Sequence, residues 1–380
     1  MSPAKRSTLV KGLALAFAVA VISVALYSVL GLLNRQSYTS EEEVRAVASS
    51  LERAVLERDE AKFLNTVDPK DENFMQEQKQ WFNHLEMFPA HSFTLQLSSL
   101  NVSRSKVVAN LSMAWSLEGQ PGNQTVTYEA AFIEREGRWF FSGPNFQIIM
   151  GKQFVIHYYP QHRDLANAVI ERLDSVLRSA SEELNYYPKN RINLNLYPDE
   201  DLLKSSINLA YNSSISGWTE PGESIKIVIR SSGDAEDMKP ILAHEITHSL
   251  MYEMVGGHGD IPWWLDEGVA RYASTPFEPS NIMELRELEL KEQVSKNMIL
   301  SWSELADKQS LPQETYRLGY VQGWSFVSYV TGQFGRDARN SWLKAVGSNN
   351  IESATLQVFG MTFQELDSDW RSFIAATSVS

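Results

Sequence analysis

The chain of 380 residues has no cysteine. That absence excludes a disulfide framework, a thiolate-held zinc or iron–sulfur centre, a catalytic thiol and a redox pair. Any metal must be held by histidine, aspartate and glutamate. Positive charge is also scarce. Against 47 Asp and Glu stand 34 Lys and Arg, a net charge of −13, which argues against a nucleic-acid binder that neutralises phosphates. No G-x-S-x-G elbow, Walker A loop or G-x-G-x-x-G run occurs, so serine-hydrolase, nucleotide and dinucleotide readings have no support. Core material is not lacking. With 43% hydrophobic and 11% aromatic residues the chain is a folded one, and its length suits two or three domains.

Acidic residues are missing from the amino end until Glu41, whereas Lys5, Arg6, Lys11 and Arg35 precede it. From Gly12 to Asn34 run 23 uncharged residues, enough for a helix of about 20 residues to cross a bilayer. A cleavable signal has a shorter apolar region, about 7–15 residues, and a small-x-small cleavage site; this run ends in Leu32, Leu33, Asn34 and Arg35. The sequence therefore predicts a transmembrane helix over 12–34 after a cytoplasmic tail over 1–11. The basic bias places the remainder outside the cytoplasm in a single-pass arrangement. A long exported chain without cysteine fits a bacterial envelope better than an oxidising secretory pathway.

Beyond the anchor the pattern is α+β. Thr39 or Ser40 with Glu42 or Glu43 forms a capping box for a helix to about Asp59. Further helix is expected around Phe74–Leu85, then alternating strands at 92–100, 106–117, 125–137 and 138–143. This accessory domain, 38–148, resembles in its element order the cone-shaped nuclear-transport-factor-2-like fold, and the sequence names no partner for it. A second pattern starts near Lys152, with strands at KQFVIHYY, RINLNLYP and IKIVIR and helices over Asp164–Leu184, 238–255 and 262–275. A mixed sheet under helices, 152–278, followed by a helical subdomain, 279–380, completes the expected architecture.

Residues 243–250 read AHEITHSL and contain H-E-x-x-H at His244, Glu245 and His248. On a helix, positions i and i+4 stack, so both imidazoles reach one ion. Glu245 lies about 100° round from His244 and can touch a bound water without being a ligand. Pro240 suits the start of such a helix and Gly256-Gly257 its stop. A second element, PWWLDEGVARYA at 262–273, places Glu267 after His248 with 18 residues between them. A catalytic zinc takes three protein ligands and leaves a fourth position for water. Two histidines from one helix and a glutamate from the next complete that set.

In these residues the chain resembles the gluzincin metallopeptidases, and within them the peptidase MA-like family related to alanyl-aminopeptidase-type enzymes. The match comprises His244, Glu245, His248, then Trp264-Leu265-Asp266-Glu267-Gly268 with Ala270, and extends loosely from Phe154 to Trp370. The resemblance implies one zinc ion held by His244, His248 and Glu267, with Glu245 as general base in the hydrolysis of a peptide or protein substrate. It also makes Tyr320, in Tyr-x-x-Gly with Gly323, the donor to the oxyanion; Tyr316 with Gly319 repeats that pattern one turn earlier. An edge strand within 214–230 would receive the substrate. One feature departs: the Gly-x-Met-Glu-Asn strand that holds a free amine is missing before His244, which argues against an aminopeptidase. Asp266, next to Glu267, is expected to point elsewhere rather than to accept from a histidine's other ring nitrogen, and His258 to be a loop residue outside the metzincin spacing. The rival reading is a non-catalytic membrane-tethered binding protein with a vestigial metal site. A structural zinc, usually closed by four ligands that commonly include cysteine, fits less well.

Overall fold

The computed structural model describes residues 39–378 except 121, 212–213, 230–237, 258–260, 307 and 309–310. Two units make up the chain, one ending at Asn145 and one spanning Phe146–Ser380.

The expected transmembrane helix over 12–34 lies outside the described residues. Among the described residues no helix is long and apolar enough to cross a membrane. The expected fold class, with its spanning helix, and the single-pass localisation that followed from it are corrected accordingly: the described fold is mixed α+β, with two sheets and their helices. The physical reason is visible in the longest helices. Arg163–Leu184 carries charges along one face, and Gln313–Phe334 is interrupted by Gln322, Ser325, Ser328 and Gln333.

In the first unit, helix α1 (residues 39–57) buries Val44, Ala48, Leu51 and Val55 at three- and four-residue spacing. Asp59 caps α2 (Glu60–Leu64) through the Lys62 amide, and Asp71 caps α3 (Glu72–Met87) through the Phe74 amide. Four strands follow as an antiparallel meander in the order β1 (Ala90–Val102), β2 (Lys106–Leu117), β3 (Gln124–Arg135) and β4 (Arg138–Pro144). Strand β2 shows the period of two plainly: Val107, Ala109, Leu111, Met113, Trp115 and Leu117 are all buried. Arg135 pairs with Arg138 across Glu136-Gly137, both at positive φ, 54° and 80°. That is the two-residue hairpin whose twist matches the strands.

The second unit is built on a five-stranded sheet. Its members are β5 (Gln147–Met150), β6 (Phe154–Tyr158), β7 (Ile192–Tyr197), β8 (Gly217–Trp218) and β9 (Ile225–Val228), in the order β5-β6-β7-β9-β8. Strands β6, β7 and β9 are parallel, while β5 and β8 are antiparallel edges. Parallel neighbours need crossovers, supplied by α4 (Arg163–Leu184) and α5 (Glu200–Ile207). The buried stripe of α4, from Leu165 through Val169, Leu173 and Val176 to Leu184, belongs to one core with Ile156, Leu194 and Ile227 of the sheet. Against α4 packs α6 (Lys239–Met254), which packs in turn on α7 (Trp263–Ser274). The rest is helical: α8 (Ile282–Ser295), α9 (Gln313–Phe334), α10 (Arg336–Ser348), α11 (Ile351–Phe359) and α12 (Phe363–Ser378).

Candidate metal centre

Helix α6 is apolar enough to be buried nearly all round. Leu242, Ala243, Ile246, Leu250 and Met251 are inaccessible, with Glu245, Thr247 and His248 among them. Pro240 sits in its first turn, where a missing N–H costs nothing. The helix ends at Val255, and Gly256 and Gly257 follow at positive φ. Polar groups in such a helix need partners, and three of them find those partners in α7.

His244 Nε2 and His248 Nε2 lie 3.1 Å apart, and Glu267 Oε2 lies 3.2 Å from the first and 3.5 Å from the second. A tetrahedral ion with donors at about 2.0–2.1 Å separates them by about 3.3–3.4 Å. Three donors at those spacings, from two helices, fit one ion. The chemistry agrees with the distances: Glu267 Oε2 is buried without a hydrogen-bond partner among the described residues, and the set is the nitrogen and oxygen mix that zinc accepts.

Asp266 corrects the expectation that it points elsewhere than at a histidine's other ring nitrogen. Its Oδ1 accepts from His248 Nδ1 at 2.7 Å, and its Oδ2 accepts from the Tyr252 hydroxyl at 2.8 Å. Consecutive residues on a helix diverge by about 100°, so Asp266 and Glu267 straddle one imidazole and serve its two nitrogens. With the proton fixed on Nδ1, Nε2 is the atom that must meet a cation. Burial disfavours a charged His248, but Asp266 and then Glu267 outweigh burial and hold its pKa well above the ordinary value. Glu267 moves the opposite way. Burial opposes its charge, yet His244, His248 and Lys308 keep it well below the usual carboxylate range.

The α7–α9 contact sets the far side of the site. A Cβ on Gly268 would meet the Gly323 carbonyl oxygen at 2.5 Å, and one on Gly323 would collide with the Trp264 carbonyl oxygen. Only this close approach lets Tyr320 of α9 donate to Glu267 Oε1 at 2.9 Å. The Tyr316 hydroxyl lies 3.0 Å from that of Tyr320, so both candidate tyrosines meet and Tyr320 is the one that reaches the ligand carboxylate. Burial, then Glu267, push the Tyr320 phenol well above its ordinary pKa, and it remains a proton donor. Lys308 also reaches Glu267 Oε1, at 3.3 Å, over the rings of Trp263 and Tyr316. Burial works against its charge, but Glu267 raises its pKa above the ordinary value.

A model of the peptidase MA superfamily matches residues 177–376, just over half of the chain. The chain belongs to the peptidase MA superfamily. No curated protein matches it. In this superfamily member the matched span holds α6 and α7, which carry the candidate metal ligands, and α9, with all five residues singled out from the sequence.

Four contributors escaped the sequence. Asp266 had a signal, an acidic residue beside the ligand glutamate. Lys308, Gly217 of β8 and Thr219 just after it had none, because only the fold brings a loop and a sheet edge to the helix pair. Glu220, next in line, has a carboxyl pushed up to about 7 by burial and by Glu223. His258 lies outside the described residues. Trp264 stacks on Trp302 at 3.9 Å within the core, whereas Trp263 stacks on Tyr316 beside the site.

Proposed function

We propose that this superfamily member is a zinc-dependent metallopeptidase that hydrolyses peptide bonds with water as the nucleophile. The observation that carries this reading is the convergence of His244 Nε2, His248 Nε2 and Glu267 Oε2 within 3.1–3.5 Å of one another. Those three atoms would hold the ion. Zinc bound there supplies Lewis-acid polarisation of the scissile carbonyl and a lowered pKa for water.

The remaining work falls to side chains. Glu245 takes the proton of the attacking water and delivers it to the leaving amine. Burial raises its carboxyl above the usual range, against the pull of His244 and His248, which brings the base nearer to neutral pH. Tyr320, neutral and adjacent to the ligand carboxylate, donates to the developing oxyanion. Asp266 keeps His248 in the tautomer that presents Nε2. The substrate is a peptide or protein segment in extended form, laid along the free edge of β8. Without a Gly-x-Met-Glu-Asn strand, cleavage of internal bonds is favoured over removal of a terminal residue.

The test is metal analysis of the full chain together with cleavage of peptide libraries with free and blocked amino ends, wild type against Glu245→Gln. One zinc per chain in both proteins, with cleavage in the wild type alone, is the expected result. Iron(II) also suits two histidines and a carboxylate, so finding iron, or full cleavage by Glu245→Gln, would overturn the assignment.

A further inference from the structure

The edge strand does more at this site than present a free edge. Thr219, directly after β8, donates its hydroxyl to Glu245 Oε2 at 2.7 Å, and the Glu245 carbonyl oxygen lies 3.4 Å from the same hydroxyl. Both residues are buried. Two positions earlier, a Cβ on Gly217 would stand 2.6 Å from Glu245 Oε1 and 2.8 Å from its Cγ. Residues i and i+2 of an extended segment share a face, so Gly217 and Thr219 form one surface against one carboxylate. Trp218, between them, meets the ring of Tyr211 edge-on.

We infer that Thr219 is a positioning residue for Glu245: its hydroxyl holds Oε2 and leaves Oε1, beside Gly217, as the oxygen that carries the proton. This inference rests on the peptidase reading above. Three rotatable bonds separate a glutamate's carboxylate from its backbone, and a base works only within hydrogen-bond reach of the proton it takes. The two oxygens of Glu245 are unequal here. Oε2 is occupied by a donor, while Oε1 faces a backbone that has no side chain to crowd it. A hydroxyl has one proton to give. Given to Oε2, it stays in place whether Oε1 is bare or protonated, so the anchor survives the whole cycle. A side chain at position 217 would occupy the space Oε1 needs. One short segment thus both grips the base and leaves its working oxygen clear.

The experiment compares Thr219→Val, Thr219→Ser and Gly217→Ala in the full chain, on a peptide identified from the library, with zinc content and Tm measured alongside. Thr219→Val should lower kcat roughly ten- to hundredfold with KM within about twofold of wild type and zinc retained. Thr219→Ser, which keeps the hydroxyl, should restore most of kcat, and Gly217→Ala should lower kcat as Thr219→Val does. A purely structural threonine would instead show a lowered Tm with no rescue of kcat by serine. If Thr219→Val does not fold, Thr219→Ala is read in its place. Wild-type kcat in the variant without the hydroxyl overturns the inference. Should the wild type cleave no peptide, the peptidase reading fails by itself, and crystal structures decide the anchor. A single Glu245 carboxylate on Thr219 in the wild type, rotated or split in Thr219→Val, supports it; an unchanged carboxylate overturns it.

Discussion

Asp266→Ala probes the metal centre without touching a ligand. The substitution removes the acceptor for His248 Nδ1 at 2.7 Å and for the Tyr252 hydroxyl at 2.8 Å. Carboxylates in this position are typically worth ten- to hundredfold in metal affinity, about 1.4–2.7 kcal/mol. A hydrogen bond to a charged group contributes about 1.5–3 kcal/mol, which agrees. Only 13% of the Asp266 side chain is exposed, so water replaces little of the loss, and the expected weakening is about 30- to 100-fold. Asp266→Asn keeps an acceptor but loses the charge, which roughly halves the bond and leaves a deficit of about 5- to 10-fold.

The pH dependence carries the sign. Asp266 favours a proton and a metal ion at His248 alike, and it holds the His248 pKa above its ordinary value. Above the wild-type pKa the full deficit appears. Below it, the wild type must first displace a proton that the variant binds less tightly, and the gap narrows. The assay is zinc competition against a chromophoric chelator over a range of pH, with Tm as a check on folding. Equal affinity of Asp266→Ala and wild type at every pH, while His248→Ala abolishes binding, would refute the reasoning.

Other outcomes follow from the same geometry. Glu245→Gln should retain zinc and lose about 10²–10⁴ in kcat, read by peptide cleavage beside metal analysis. Tyr320→Phe removes one oxyanion donor and should cost about 10²–10³ in kcat; a change in KM alone would show that the phenol only binds substrate. Gly323→Ala drives a methyl into the Trp264 carbonyl and should cost about 1–3 kcal/mol. That corresponds to a fall in Tm of about 2–12 °C for a unit of this size. Gly332→Ala on the same helix, where nothing among the described residues lies within 4 Å, should instead raise Tm slightly.

Much of the site was legible because it is local. His244 and His248 are placed by helix periodicity alone, and Glu267 begins to count once a second helix is granted. The strands of the first unit could be read for the same reason: a period of two in β2 and Glu136-Gly137 at the β3–β4 turn are local signals. The long apolar run at the amino end was equally local; it lies outside the described residues, among which no helix is long and apolar enough to cross a membrane.

What the amino-acid order determined by itself is the candidate ligand set and the spacing that puts two imidazoles on one side of a helix. Tertiary structure decided the rest. Asp266 turns to Nδ1 because α7 crosses α6 with His248 between two consecutive acids. Tyr320 reaches Glu267 because two glycines let α7 and α9 touch. Thr219 meets Glu245 across 26 residues of chain because the edge of the sheet abuts the buried helix. Such contacts depend on angles and distances between elements, which packing sets and no local pattern records.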